Sequence, residues 1–143
     1  MTILYLDTSA LVKMYLPENE AERRRVLEQI DLHGRVATCS IGYAEGCSAL
    51  ARYFHEGRST EKSYAESVET FAEDWLMVNQ IGVIADVSVV AGQLMKAHRG
   101  LRAMDALHLS AALWLRLREP VRFLSFDAHL QTVAQQLMPD AFT

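Results

Sequence analysis

Four acids in this chain stand where a carboxylate is hard to read as a plain surface charge. Asp7 ends the apolar run Ile3-Leu4-Tyr5-Leu6, has Thr8 and Ser9 beside it, and precedes an apolar-periodic stretch, the pattern of a buried strand feeding a helix. Asp127 repeats that grammar after Arg122-Phe123-Leu124-Ser125-Phe126, with a helix expected from Ala128 to Leu137. Glu45 shares a helical face with Ile41, Ser48, Ala49 and Arg52, a stripe of small residues suited to close packing against other backbone. Asp105 falls in the first turn of a helix over 103 to 118 that is apolar nearly all round, on one stripe with His108, Leu109 and Ala112.

Each acid has an alternative. Asp7 and Asp127 suit helix N-caps, worth about 1 kcal/mol each. Glu45 could form an ion pair with Arg52, and His108 has the setting of a satisfied core histidine as well as that of a ligand or proton carrier. One cluster explains all four acids together. Carboxylates held close repel and raise one another's pKa values, and a hard divalent ion such as Mg²⁺ or Mn²⁺ relieves this, with water and substrate phosphate filling its remaining positions. Glu45→Gln separates the alternatives: within the cluster it should leave stability equal or higher, and in an ion pair it should lower it. A phosphatase-like enzyme using Asp7 as nucleophile is the rival chemistry, but the second acid such motifs place two residues on is Ser9 here. The chain has no Gly-rich phosphate loop, Walker motif or GxSxG elbow.

The elements that must position these acids alternate strand and helix, which predicts an α/β fold with a central parallel sheet flanked by helices. The spacing predicts a short helix over 8 to 16 ended by Pro17, a second from Glu18 to Leu32 stopped by Gly34, and a strand over Arg35 to Cys39. Ser40 is placed to cap a third helix over 41 to 56. An amphipathic helix over 60 to 78 carries Tyr64, Val68, Phe71, Trp75 and Leu76 as core or dimer interface, and Gly82 ends it. A third strand is expected at Val83 to Val87 and a helix from Ser88 to His98, with Asp86 a strand-end or turn acid outside the site. The run Arg23-Arg24-Arg25 suits either a solvated face or a phosphate contact.

With 143 residues, half of them hydrophobic and only three prolines, the chain has the size and composition of a single domain over 1–143. No apolar run approaches the ~20 residues that span a bilayer, and no signal-like start precedes Asp7, so no membrane association and a cytoplasmic location are expected. Cys39 and Cys47 read as small buried thiols of a reducing compartment, without nearby histidines for a zinc site. The formal charge of −4 argues against binding a partner through net charge. Setting aside the four candidate acids leaves fourteen of eighteen, equal to the fourteen Lys and Arg, so two divalent ions would bring the protein to neutrality.

Leu6-Asp7-Thr8-Ser9-Ala10-Leu11-Val12-Lys13, Tyr43-Ala44-Glu45, Met104-Asp105-Ala106-Leu107-His108-Leu109 and Phe123-Leu124-Ser125-Phe126-Asp127, in that order, resemble the PIN-domain family of metal-dependent ribonucleases. Within it they resemble the VapC-like toxins of toxin-antitoxin pairs. The resemblance spans nearly the whole chain and implies a Rossmann-like sandwich, commonly dimeric, that cuts RNA. It implies Asp7, Asp105 and Asp127 as metal ligands, Glu45 as a further ligand or the base orienting water, and Ser9 and Ser125 as supporting hydroxyls. A threonine is common in the family where Ser125 stands. Lys13, Arg99 and Arg102 fall near the inferred site edge, either steering phosphate or as solvated charges. The partners implied are an RNA substrate, a cognate antitoxin and a second copy of the chain; the alternative is a catalytically silent PIN-like module that binds RNA or protein.

Overall fold

The computed structural model describes residues 2–142. Four parallel strands, β1 (Ile3–Leu6), β2 (Val36–Cys39), β3 (Asn79–Ile81) and β4 (Val121–Leu124), form one sheet in the order β3-β2-β1-β4. Register is fixed by Tyr5 opposite both Ala37 and Phe123, and by Cys39 opposite Ile81. The helices are α1 (Thr8–Leu11), continued by a 3₁₀ turn over Val12–Met14, α2 (Glu20–His33), α3 (Gly42–His55), α4 (Glu61–Trp75), α5 (Ala85–Ala97), α6 (Ala103–Arg116) and α7 (Ala128–Leu137).

All four residues of β1 are buried because the pleat sends alternate side chains to opposite, covered faces. Ile3 and Tyr5 join Phe123, Ala37 and Cys39 under α5, α6 and α7, packing with Val87, Ala91, Ala106, Leu109 and Leu130. Leu4, Leu6 and Leu124 face the other way, onto Ala10, Leu11, Val26, Leu50, Phe71 and Trp75 of α1 to α4. Gly46 lets α3 approach α4 closely: a Cβ there would lie 2.5 Å from the Phe71 ring, which is itself stacked on Tyr43. Gly34, at φ +72°, closes α2 in the left-handed conformation that glycine adopts at little cost.

The expected fold class stands, with several boundaries moved. The helix expected over 8 to 16 is one α turn and one 3₁₀ turn, a tightening that brings both Leu11 and Leu16 onto the core. Asn19, accepting from Glu22 N, caps α2 and delays its start to Glu20. Ser40 does not cap α3; Ile41 occupies the N-cap without a side-chain bond, and the Ser40 N–H donates to Ile81. The third strand is displaced to Asn79–Ile81, where it pairs with Ala37–Cys39 and buries only Ile81. Val83 and Ile84 are left exposed, and Val87 joins Ala91 and Leu94 on the buried face of a helix that begins at Ala85. Thr60 caps α4, which ends at Trp75 and leaves Leu76 exposed rather than in the core. Cys39 and Cys47 are unpaired, the first buried and the second half-buried.

Candidate active site

The strand order reverses between β1 and β4, and in open parallel sheets the crevice beyond such a switch point is where ligands bind. Asp7 follows β1 and Asp127 follows β4, so both acids stand at this end of the sheet; Asp127 lines the acid pocket described below, whereas Asp7 is buried beneath it, 3% exposed, and lines neither pocket there. Each acid is also the N-cap that the local pattern suggested: Asp7 Oδ1 accepts from Ala10 N at 3.0 Å, and Asp127 Oδ1 accepts from Leu130 N at 2.9 Å. A cap uses one lone pair and leaves the rest of the carboxylate available, so capping and site chemistry coexist.

Ser9 and Ser125 stitch the two corners together. Ser125 Oγ donates to Asp7 Oδ2 at 2.7 Å, and Ser9 Oγ donates to Asp7 Oδ1, also at 2.7 Å. Their oxygens in turn accept the N–H groups of Asp127 and Phe126 at 3.1 and 2.9 Å. Burial pushes the Asp7 carboxyl up, against the charge of His108 and the hydrogen bonds from Ser125, Ser9 and Ala10 that pull it down.

Glu45, in the first turn of α3, pairs not with Arg52 but with His108 of α6: Nε2 lies 2.8 Å from Glu45 Oε1. Thr8 Oγ1 donates to the same oxygen at 2.6 Å. Burial alone would raise the Glu45 carboxyl; the hydrogen bonds from His108 and Thr8 outweigh it, and the net shift is downward. Asp105 shows the opposite balance. Burial raises it, and the charges of Asp127, Asp7 and Glu45 raise it further against the pull of His108. Asp105 therefore senses the other three predicted acids, as a group gathered with them at one end of the sheet must.

A pocket of about 580 Å³ is lined by Glu45, Arg102, Met104, Asp105, Asp127 and His129, among others. An adjoining one of about 490 Å³ shares Glu45 and Met104 and is bounded by Thr8, Ser9, Ser48 and Arg52. Of the three cations expected near the edge, Arg102 lines the acid pocket. Lys13 instead forms an ion pair with Glu22 of α2 at 2.8 Å. Arg99 is exposed just beyond α5 and lines neither pocket. Asp86 faces a different cleft, between α5 and α6, with Val90, Leu113 and Trp114.

Sequence reasoning missed Tyr5, Thr8 and His129 and left His108 open between a core residue and a ligand or proton carrier. His108 is buried, as that reading required, yet its two ring nitrogens reach Tyr5 on one side and Thr8 and Glu45 on the other. Burial holds the Tyr5 phenol well above its usual range, so it remains a hydrogen donor. Strand alternation puts Tyr5 on the α6 face of β1, which was a usable signal; the pairing of residues 103 apart in sequence was not.

A parallel sheet with carboxylates at its switch point, braced by hydroxyls from both flanking corners, defines a class, and comparison with known proteins identifies it. Residues 4–138 match the PIN domain family model, and the chain belongs to that family. Ribonuclease VapC45 and Ribonuclease VapC49 of Mycobacterium tuberculosis are each 30% identical to it over 113 residues, 79% of this chain and 76% of theirs. Ribonuclease VapC47 of the same organism is 27% identical over 131 residues, 90% of this chain and 87% of its own. The fold matches that of Mycobacterium tuberculosis VapC20, described as a Sarcin-Ricin loop cleaving toxin, with a TM-score of 0.66 at 18% identity, covering 90% of this chain and 93% of that one. It also matches VapBC2 from Rickettsia felis bound to a promoter DNA fragment, with a TM-score of 0.62 at 15% identity, covering 92% and 93%.

The divalent metal that the family implies fits the donor set. The donors are hard carboxylate oxygens, and Asp105 is raised by the neighbouring acids, a repulsion that a cation relieves. Among the described residues no three Asp, Glu, His or Cys side chains converge closely enough to enclose an ion by themselves. An ion there would complete its coordination with water.

Proposed function

We propose that this chain is an endoribonuclease that hydrolyses RNA phosphodiester bonds with Mg²⁺ or Mn²⁺, and acts as the toxin of a toxin-antitoxin pair. The observation that carries the reading is the gathering of Glu45, Asp105 and Asp127 on one pocket open to substrate, and the upward shift of Asp105 under burial and the charges of Asp127, Asp7 and Glu45 agrees with it. The ribonuclease names of the relatives support the substrate class, and the antitoxin partner is the one the family resemblance implies.

Asp7, Asp105 and Asp127 would hold the metal, directly or through its bound waters, with Asp7 in a fixed orientation set by Ser9 and Ser125. A divalent ion held there supplies Lewis acidity, acidifying water and neutralising charge on the phosphate. Glu45, kept ionised by His108 and Thr8, would join them as a further metal ligand and would orient the attacking water by accepting its hydrogen bond. Arg102 and His129 at the rim meet the phosphates flanking the cut. The toxin functions as a homodimer, the assembly the family resemblance implies.

Cleavage of a single-stranded RNA by the purified chain should vanish in EDTA and return with excess Mg²⁺ or Mn²⁺. Full activity in chelator would overturn the metal mechanism, and no cleavage under any metal would overturn the ribonuclease reading.

A further inference from the structure

The hydrogen bonds beneath Glu45 extend farther than the acid cluster itself. Glu45 Oε1 receives Thr8 Oγ1 at 2.6 Å and lies 2.8 Å from His108 Nε2. An ionised carboxylate only accepts, so Nε2 carries a hydrogen and donates it. His108 Nδ1 then faces the Tyr5 hydroxyl at 2.9 Å, and that hydroxyl accepts the backbone N–H of Cys39 at 3.0 Å. The series runs from β2 through β1 and α6 to α3, and Cys39, Tyr5 and His108 are all buried. Ring packing fixes its middle: Tyr5 stacks on Phe123 with centroids 5.5 Å apart and meets His108 edge-on at 5.9 Å. Among the described residues Glu45 Oε2 makes no hydrogen bond, so one oxygen is committed to the relay while the side chain lines the pocket.

We propose that Tyr5 and His108 are positioning residues for Glu45, a buried relay that fixes its carboxylate so that one oxygen is presented to the acid pocket. The inference rests on the metal-dependent reading of that pocket. A half-buried glutamate with three rotatable bonds loses freedom when a ligand orders it; tethering one oxygen to a packed ring removes that freedom beforehand. Partners of this kind typically set 10–100-fold of metal affinity or activity. A histidine that only fills the core would be replaceable by an apolar side chain with no effect on the pocket, whereas a positioning histidine needs a donor where Nε2 stands.

The test uses the full chain and Mn²⁺ alone, titrated by calorimetry without RNA, beside thermal melts and steady-state cleavage. Tyr5→Phe keeps the ring stack and removes only the hydroxyl; His108→Leu removes the donor; His108→Gln restores a donor. Mn²⁺ affinity should fall about 10–100-fold in His108→Leu, fall less in Tyr5→Phe, and recover in large part in His108→Gln, with kcat lowered and KM little changed. Wild-type Mn²⁺ affinity in folded His108→Leu and Tyr5→Phe would overturn the proposal, and if His108→Leu does not fold, Tyr5→Phe decides alone. A wild-type protein that binds Mn²⁺ yet cuts no RNA would sink the ribonuclease reading and leave the relay standing on its affinities. A wild-type protein that binds no Mn²⁺ would overturn both.

Discussion

Asp127 does two jobs with one carboxylate, and substitution separates them. Asn retains an oxygen for Leu130 N, so Asp127→Asn should melt within a degree or two of wild type while cleavage falls about 100-fold or more. Asp127→Ala should lose the same activity and also about 1 kcal/mol of stability; equal melts for the two would remove the capping role. Asp7 is less forgiving. Its two oxygens accept from Ser9, Ser125 and Ala10, and an Asn amide there would turn a donor toward a donor, so Asp7→Asn disturbs packing as well as charge. Asp105 and Glu45 differ in the sign of their shifts. Folding holds the Asp105 carboxyl above its ordinary 3.8, so the folded state binds more protons than the unfolded chain in the window above that value, and stability falls as pH rises through it. Asp105→Asn escapes that loss. Its melting temperature in metal-free buffer should gain on wild type as pH climbs from about 4 to 7; a pH-independent offset would contradict the repulsion. The Glu45 carboxyl is lowered, so its contribution is present above its unfolded pKa and lost as pH falls through the folded one. Glu45→Gln therefore costs stability at neutral pH although Glu45 lies in the cluster, because the carboxylate holds His108 and Thr8 rather than Arg52, and the equal or higher stability expected of a cluster acid does not apply to it.

At the scale of elements, the site depends on α3 standing close to α4. The approach is set by Gly46, where a Cβ would come within 2.5 Å of the Phe71 ring. That ring is 2% exposed, stacks on Tyr43 and packs against Tyr15, so it has no free direction in which to yield. Gly46→Ala should cost about 1–3 kcal/mol, as overpacked cores do, and thermal or denaturant melts will read it. An unchanged melt would mean that α3 can slide, and then the orientation of Glu45, one residue earlier, would not be fixed by this contact. The two strand-to-helix corners are coupled differently, through hydroxyls rather than packing, because Ser9 and Ser125 each touch both.

For the whole molecule, a formal charge of −4 with acids concentrated at one end of the sheet makes the pocket unwelcoming to RNA until cations occupy it. The same concentration gives an inhibitor a simple route. An antitoxin arginine inserted among Asp7, Glu45, Asp105 and Asp127 would meet carboxylates in bidentate geometry and replace the metal's charge. Metal and antitoxin then compete: raising Mg²⁺ at fixed ionic strength should weaken the cognate complex by several-fold. Identical affinities in Mg²⁺ and an ionic-strength-matched monovalent salt would exclude an arginine plug.

The parallel α/β class and the acids at its corners were legible in one dimension because they rest on local rules. An apolar run ending in an acid and a hydroxyl, followed by helical periodicity, specifies a strand, a cap and a helix within about ten residues, and α7 begins and ends where that rule places it. The third strand was misplaced because an edge strand with one buried residue carries little pattern; its pairing with Ala37–Cys39, some forty residues away, decides it. Lys13 could be read as a site cation or a solvated charge, and only the packing of α2 against the first helix gave it to Glu22. Glu45 was recognised as an acid in need of a partner, but the sequence offered the nearest arginine on its own helix. Tertiary structure chose His108, brought by α6 across the sheet and backed by Tyr5 from β1, because which side chains meet between layers depends on strand order and register, and no local spacing encodes those.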